Sequence, residues 1–269
     1  MANTVYSNKV IEAKAKDILS TKINARSMMT IDDSLVGTAG MIKTINTYTY
    51  TGTAEELAAG AGNTVRGSIA YVGKDYTVKM VQQAFDYLDE DFMKDNVIVD
   101  MGIQGATSVM SNKMTSDFYG ALATTGSGST ELVQGLTFPK GKEIGYDVIV
   151  DAISALNVED ESGIFIIIPN AWKAAIRKDA DYKAARMGEV VYNGQVGTIA
   201  GIPVVATKAL TNKAYVLTKE AVTLFLKKDV EVEQDRDADT RKNSIYLRDC
   251  YVCALTDATK ACKITQTAS

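Results

Sequence analysis

The stretch IFIIIPNAWKAAIRK, Ile164 to Lys178, decides the fold class of this chain. The five apolar residues that open it are typical of a short strand buried on both faces, and the Pro-Asn pair that follows begins a helix over AWKAAIRK. Upstream, DVIVDAISAL (Asp147–Leu156) is predicted as a helix, and downstream short β segments are predicted around Val190, at Ile199 and in GIPVV (Gly201–Val205). This part of the chain is therefore predicted to be compact α+β.

An extended hairpin is predicted closer to the N terminus. IKTINTYTYTG (Ile42–Gly52) and VRGSIAYVGKDYTVKM (Val65–Met80) are rich in β-branched and aromatic residues, and TAEELAAGAGNT joins them. Threonine, tyrosine and glycine occupy positions that a core would give to aliphatic residues, and an isolated hairpin is only marginally stable in water. We therefore expect the hairpin to lie against something outside its own subunit. The polar arm before it has the spacing of a short amphipathic helix at best, with apolar positions that include Ile11 and Ala15.

After the hairpin, the apolar spacing becomes helical. Phe85, Leu88 and Phe92 recur at intervals of three and four residues, and Asp95 is suited to cap a second helix from about residue 96 to residue 123. At 1.5 Å per residue this second helix would be about 42 Å long. A helix of that length is predicted to be the spine of its domain.

Near the C terminus, DRDADTRK (Asp235–Lys242) places three aspartates at alternate positions between two predicted strands, VEVEQ and SIYLRDCYV. A calcium loop of the EF-hand type needs Gly at its sixth position and Glu at its twelfth. Those positions hold Thr240 and Tyr246, so the EF-hand pattern fails. A solvated hairpin loop, a salt-bridging contact with another subunit and a metal site of some other kind remain as interpretations.

The composition argues against catalysis. The 269-residue chain has no histidine, so it lacks the commonest general base and zinc ligand and cannot build a Ser-His-Asp triad. The acidic run YLDEDFMKD (Tyr87–Asp95) has no histidine at helical spacing and is interpreted as a solvated helix face. Cys250, Cys253 and Cys262 are interpreted as buried thiols, with the first two on opposite faces of a strand. No cofactor or metal is predicted.

Charge and hydropathy restrict the partners. The net charge of −4 gives no overall basic footprint for tight nucleic-acid binding. Near the N terminus, the arm still carries basic residues that are candidates for facing DNA, although a solvated arm explains them equally well: Lys9, Lys14, Lys16, Lys22 and Arg26. No apolar run is long enough to span a membrane and the first residues are polar, so neither a membrane span nor a signal peptide is predicted.

The order of these elements resembles that of the HK97-like major capsid proteins of tailed bacteriophages. The likeness covers nearly the whole chain and is most specific from Ile164 to Asp237, through the strand that ends in Pro-Asn, the helix with Trp172 and Arg177 and the Gly-Ile-Pro-Val-Val strand. It implies an α+β fold in five parts: an N-arm (1–40), an extended E-loop hairpin (41–80), a P domain with a long spine helix (81–144), an A domain (145–225), and returning P-domain strands with their loop (226–269).

The resemblance implies a structural role. Such proteins self-assemble through hexamers and pentamers into an icosahedral shell that encloses phage DNA, so the expected partners are other copies, a portal protein and double-stranded DNA bound without sequence specificity. Since only the short segment 1–40 precedes the hairpin, a separate scaffolding protein is expected. The shell would be assembled in the host cytoplasm and become the virion capsid. We expect no Lys-Asn cross-link between subunits, because no motif identifies the acceptor.

Candidate subunit-contact residues lie in the hairpin and in the C-terminal loop: Glu55, Glu56, Arg66, Lys74, Asp235, Arg236, Asp237, Asp239 and Arg241. Three alternatives compete with the phage shell. An encapsulin-like compartment would hold an enzyme cargo in place of a genome. A metal-dependent hydrolase would use the acidic clusters at Asp89 or Asp235. A tail component is disfavoured because a spine helix has no role in a tube.

Overall fold

The structure, a computed structural model, describes residues 10–15, 25–126, 131–179 and 197–267. Within these residues the strands form a four-stranded sheet, a six-stranded sheet and a separate two-stranded ribbon. The predicted β segment around Val190 lies outside the described residues. No helix in the described part of the chain is long and apolar enough to cross a membrane.

The α-helices of the described chain differ greatly in length. They are α1 (residues 10–15), α2 (Asp89–Lys94), α3 (Ile98–Leu122), α4 (Tyr146–Ala155) and α5 (Lys173–Lys178). The strands of the N-terminal half are β1 (Thr30–Asp32), β2 (Ile42–Thr51), β3 (Ser68–Thr77), β4 (Lys79–Leu88) and β5 (Gln134–Phe138). Those of the C-terminal half are β6 (Ile164–Pro169), β7 (Thr198–Ile199), β8 (Ile202–Thr207), β9 (Lys213–Thr218), β10 (Val222–Asp237), β11 (Lys242–Leu255) and β12 (Ala261–Gln266).

The four-stranded sheet has the order β1-β10-β11-β4, and the long helix α3 packs across one of its faces. Ile103 and Met114 of α3 share a buried core with Ile245 and Leu247 of β11. The helix approaches β4 closely at Gly102, where an added Cβ would overlap the ring of Phe85. The absence of a side chain at Gly102 therefore lets the helix pack closely against β4 at this point.

The helix predicted around Phe85 and Leu88 is wrong, because these residues lie in β4. The burial of β4 alternates: Val81, Phe85 and Tyr87 turn toward α3, while their neighbours are exposed. Ten consecutive register pairs with β11 fix this strand. The apolar residues from 85 to 92 therefore belong to two elements, the end of β4 and the short helix α2. Their spacing also fits one helix, and only the pairing with β11 shows that Phe85 and Leu88 lie in a strand.

The spine helix is confirmed, with slightly later bounds. It runs from Ile98 to Leu122, which at 1.5 Å per residue is about 37 Å. Asp95 lies just before it, and its carboxylate accepts a hydrogen bond from the backbone N–H of Val97 at 2.9 Å. The prediction that Asp95 is the N-cap of this helix is wrong, because the N-cap is Val97 and has no side-chain capping bond. Asp95 instead ends α2, and its bond to Val97 closes a local turn before α3.

The six-stranded sheet has the order β5-β12-β9-β6-β8-β7. Strand β6 pairs in parallel with β8 and antiparallel with β9, and Ile164, Ile166 and Ile168 are essentially inaccessible to solvent. Ile149 of α4 and Ile176 of α5 complete the core against it. The continuous apolar run of β6 is thus confirmed as a strand buried by helices and neighbouring strands.

Strand β12 requires a correction to the sequence-based division of the chain. It was expected among the returning strands of the helix-bearing sheet, but it pairs in parallel with β5 and antiparallel with β9 in the six-stranded sheet. The chain therefore contributes β10 and β11 to one sheet and then crosses to the other. The crossing depends on pairing with strands that are distant along the chain, and the sequence around β12 does not indicate these partners.

Candidate assembly surfaces

The base of the β2–β3 hairpin is fixed to the four-stranded sheet. The phenolic O–H of Tyr76 donates to the carbonyl oxygen of Leu255 at 2.7 Å, and its ring stacks on that of Phe225 with centroids 6.4 Å apart. Val78 and Leu35 close a small separate core around Phe225. The hairpin is therefore held at one end only, so its orientation is set while its outer part remains available.

The outer part of the hairpin carries an aromatic face. Tyr48 pairs across the strands with Tyr71, and Tyr50 pairs with Ile69, so the four side chains share one side of the ribbon. They are 66–70% exposed, and the Tyr48 and Tyr71 rings are 6.2 Å apart. In the described chain the ribbon pairs with no other strand. This aromatic face, Tyr48, Tyr50, Ile69 and Tyr71, is an apolar surface that the chain itself does not cover.

The hairpin tip, residues 52–67, is organised by Glu55. Its carboxylate accepts hydrogen bonds from the hydroxyl of Thr64 and from the backbone N–H groups of Thr64 and Val65, at 2.5, 2.8 and 3.1 Å. These bonds, led by the Thr64 hydroxyl, lower the pKa of Glu55. Glu56 and Arg66 beside it are exposed. Glu55 is therefore a loop-ordering residue in this structure, and Glu56 and Arg66 are left facing solvent.

Lys74 lies on β3, on the side of the ribbon opposite the aromatic face. Its ammonium nitrogen is 5.2 Å from the centroid of the Tyr76 ring. Such a cation–π contact holds the exposed side chain loosely. Lys74 therefore remains accessible to a partner.

The turn between β10 and β11 is shorter than predicted. Both strands continue into the DRDADTRK segment, so that Arg236 pairs with Asn243 and Asp237 with Lys242. The Asp237 carboxylate accepts from the backbone N–H of Asp239 and from the Thr240 hydroxyl, and the pKa of Asp237 is lowered, chiefly by the Thr240 bond. Only residues 238–241 form the turn, which we call the β10–β11 turn.

Arg236 and Arg241 bind carboxylates of their own chain. Arg236 contacts Asp89 at 2.7 Å, and Arg241 contacts Glu90 at 3.0 Å. Asn243 donates to the other oxygen of Asp89 at 2.6 Å, and the hydrogen bond from Arg236 leads the lowering of the Asp89 pKa. These contacts clamp α2 against the β10–β11 turn.

The acidic run of residues 87–95 is thus more than the solvated helix face that was predicted. Asp89 and Glu90 are the partners of the clamp, and Asp86 just before the run pairs with Lys242 at 2.7 Å. Sequence reasoning missed these partners, because Asp89 and Arg236 are 147 positions apart. The signal that was available was an acidic run in one segment and three basic residues among the aspartates of the other.

The carboxylates of Asp235 and Asp239 take no part in the clamp or in the turn bonds made by Asp237. Asp235 pairs in register with Ser244, which places its side chain on the sheet face opposite α3, near Asp86. Asp239 is exposed in the β10–β11 turn. Both carboxylates are therefore presented to the surroundings of the subunit.

The basic residues of the N-terminal arm are described only in part. Lys14 pairs with Asp100 of α3 at 2.7 Å, and Ile11 and Ala15 beside it are buried in the main core. The short amphipathic helix expected in the arm is therefore confirmed. Arg26 lies in a short 3-10 helix, whereas Lys9, Lys16 and Lys22 lie outside the described residues.

The described residues show a structural rather than a reactive chemistry. Cys250 lies in the small core of Phe225 and Cys253 packs against the main core, which confirms that the two thiols face opposite sides of β11. Burial raises the pKa of Cys253 to about 12 and that of Cys262 to about 11, so neither is a reactive thiolate. Within the described ranges, no group of three or more acidic or cysteine side chains is placed to hold a metal ion.

Comparison with known proteins identifies the architecture. No family model matches the chain. A curated major capsid protein of Staphylococcus phage phiMR11 is 26% identical over 260 residues, covering 92% of this chain and 89% of the relative. The capsid structure of cyanophage P-SCSP1u aligns with a TM-score of 0.70 at 12% identity, over 91% of this chain and 88% of that one.

A virus-like particle from Pyrococcus furiosus aligns with a TM-score of 0.62 at 8% identity, over 95% of this chain and 98% of that one. At such identity it shows the shared fold alone. The relative with detectable sequence similarity is a phage capsid protein, so the encapsulin-like alternative is not favoured. Together, these comparisons show that the chain has the fold of the matched capsid structures and is similar in sequence to a phage major capsid protein.

Proposed function

We propose that the chain self-assembles through hexamers and pentamers into an icosahedral shell around double-stranded phage DNA. The observation that carries this proposal is the aromatic face of the hairpin, which is about two-thirds exposed and has no partner in the described chain. An apolar surface of this kind on a rigidly based arm marks a protein interface. A neighbouring copy is the natural partner for a protein whose relatives form shells.

The five sequence-based regions then take functional roles. Residues 1–40 act as the N-arm, 41–80 as the E-loop laid over an adjacent subunit, and 145–225 as the A domain at the centre of each capsomer. The four-stranded sheet with α3 acts as the P domain. Strands β5 and β12 join the sheet of the A domain, because β12 pairs with both β5 and β9.

The contact residues follow from this arrangement. Glu56, Arg66 and Lys74 of the hairpin, together with Asp235 and Asp239, are exposed and are proposed to meet neighbouring subunits. Glu55, Arg236, Asp237 and Arg241 have partners in their own chain, so we propose that they shape the contacting loops. Because such surface pairs are individually weak, assembly depends on their repetition around each capsomer.

The remaining partners are proposed from the family resemblance. A separate scaffolding protein guides assembly in the host cytoplasm, a portal protein occupies one vertex, and DNA is enclosed without sequence specificity. The net charge of −4 supports enclosure rather than tight binding.

Electron microscopy of the overexpressed protein tests the proposal. Closed shells built from a 29.0 kDa subunit are expected. Rods would indicate a tail component, and protein that remains monomeric both when expressed alone and in extracts of infected cells would contradict the proposal. Nuclease-resistant DNA in particles from infected cells would support a genome-enclosing role, whereas particles that hold a protein cargo and no DNA would refute it.

A further inference from the structure

Two glycines face each other at the point where the β2–β3 hairpin enters its tip. The last register pair of the two strands is Thr51 with Ser68, so Gly52 and Gly67 are the next pair outward. A Cβ added to Gly52 would lie 2.8 Å from the Cα of Gly67, which shows how closely the two backbones approach. Neither glycine has a positive φ. The chain therefore uses glycine at these two positions for space and not for backbone freedom.

The side chain of Tyr50 occupies that space. A Cβ on Gly52 would lie 2.7 Å from the Tyr50 hydroxyl oxygen and 2.9 Å from its Cζ. Apart from the adjoining residues, the three atoms nearest to a Cβ on Gly67 also belong to the Tyr50 side chain. Tyr50 and Gly52 are two residues apart on one strand, so both project to the same side of the ribbon. The outer end of the Tyr50 ring therefore lies over both glycines, and we call this arrangement the tyrosine–glycine stack.

The tyrosine–glycine stack orients Tyr50 without burying it. Tyr50 is still 68% exposed, because only the end of the ring contacts the glycine backbones. Aromatic side chains that cover glycines stabilise strands at positions where no other side chain is present to pack. On the opposite side of the ribbon, the hydroxyls of Thr51 and Ser68 form a hydrogen bond at 2.8 Å. Both sides of the ribbon are therefore held closed where the tip begins.

We propose that Gly52 and Gly67 are positioning residues for assembly: they hold the Tyr50 ring along the ribbon, so that the aromatic face is preformed before a neighbouring copy reaches it. This inference rests on the proposed function and names the residues that shape its contact surface. A side chain that is free in solution and fixed in an interface loses conformational freedom on binding, which weakens association. A ring that is already held in the unassembled subunit loses less.

Gly67→Ala tests the inference, and the protein concentration at which particles appear in light scattering is the measurement. The added methyl group meets the end of the Tyr50 side chain, which is free to swing into solvent, so the subunit should fold normally while the ring leaves the ribbon. Gly62→Ala is the matched control, since Gly62 lies in the same tip and a Cβ there meets no atom within 4 Å. Gly67→Ala should raise the threshold concentration roughly fivefold, the scale of one side chain that must be ordered on binding, and Gly62→Ala by less than about twofold. The melting temperatures of both variants should stay close to that of the wild type.

Substitutions of Tyr50 show whether the effect passes through the ring. Tyr50→Leu keeps an apolar side chain but has no atoms at the outer end of the ring, so adding Gly67→Ala to it should change the threshold by less than about twofold. Tyr50→Phe retains the ring and should respond to Gly67→Ala as the wild type does. The stack also has a signature before assembly, because an aromatic ring shifts the magnetic resonance signals of protons that it covers. The Gly67 Hα signals of the unassembled subunit should be shifted upfield and should lose that shift in Tyr50→Leu.

Three results would each overturn the inference while leaving shell formation intact. They are equal thresholds for Gly67→Ala and Gly62→Ala, an equal effect of Gly67→Ala with and without the Tyr50 ring, and Gly67 signals that are not shifted in the wild type. The magnetic resonance measurement needs no variant at Gly67, so it decides the matter even where Gly67→Ala does not fold. If the wild-type chain formed no particles at all, the proposed function would fail first and this inference with it.

Discussion

The aromatic face of the hairpin allows a quantitative prediction for Tyr71→Ser. A tyrosine carries about 150–250 Å² of surface, of which 69% is exposed in the single chain. Covering that exposed part in a neighbour contact at about 25 cal/mol per Å² contributes roughly 2.5–4 kcal/mol. Within the chain, Tyr71 contributes only its pair with Tyr48, about 0.2–1 kcal/mol. The substitution should therefore affect assembly far more than folding.

The assay is the protein concentration at which particles appear, followed by light scattering. Each 1.4 kcal/mol is a tenfold change, so Tyr71→Ser should raise this concentration by roughly 50-fold or more while the melting temperature changes little. Val72→Ser is the matched control, because Val72 is 71% exposed on the opposite face of the same strand. An unchanged threshold for Tyr71→Ser would refute the reasoning. An equal effect of Val72→Ser would show that the aromatic face has no special role.

Four further predictions concern the tip, the turn, the clamp and covalent chemistry. Deleting residues 53–63 should leave a folded subunit that forms no stable shells, and normal shells in electron micrographs would contradict this. Replacing Asp235 and Asp237 by lysine, which reverses their charge, should reduce the yield of particles more than it reduces thermal stability. An unchanged yield at moderate salt would show that the turn is only solvated and makes no contact with another subunit. The hydrogen bond from Arg236 holds the pKa of Asp89 below its usual value. The wild type should therefore melt at a higher temperature than Asp89→Asn, by a margin that is constant above about pH 5 and is lost as the pH falls below about 4. A margin that grew on acidification would show that the pKa of Asp89 is raised by folding and not lowered. Denaturing electrophoresis of purified shells should show only the 29.0 kDa chain, and a ladder above it would reveal a cross-link.

Much of the fold was predictable because its signals are local. The run of apolar residues in β6 is too long and continuous for a strand with one face in solvent. In α3, apolar residues recur at helical spacing over about seven turns. The hairpin was predicted to face outward for the same kind of reason, since Thr44 and Gly73 stand where a core strand would have aliphatic residues. Each of these inferences depends on side chains within a few positions of one another.

The errors arose where the deciding partner is distant. Phe85 and Leu88 fit a helix by spacing, and only pairing with β11, which lies far along the chain, makes them a strand. A similar separation hid the clamp between Asp89 and Arg236. The residues next to a charged side chain in the sequence do not indicate which distant residue it will pair with. The pairing was therefore not predictable from either segment alone.

The sequence by itself determined the α+β class, the long helix, the opposite facing of the two β11 thiols and the outward hairpin, because burial preference and periodicity act over a few residues. Only the tertiary structure decided that both strands continue into the charged segment Asp235–Lys242, that its arginines bind α2, and that β12 belongs to the second sheet. These features depend on which strand lies beside which, and backbone hydrogen bonds that join strands are the same for every sequence.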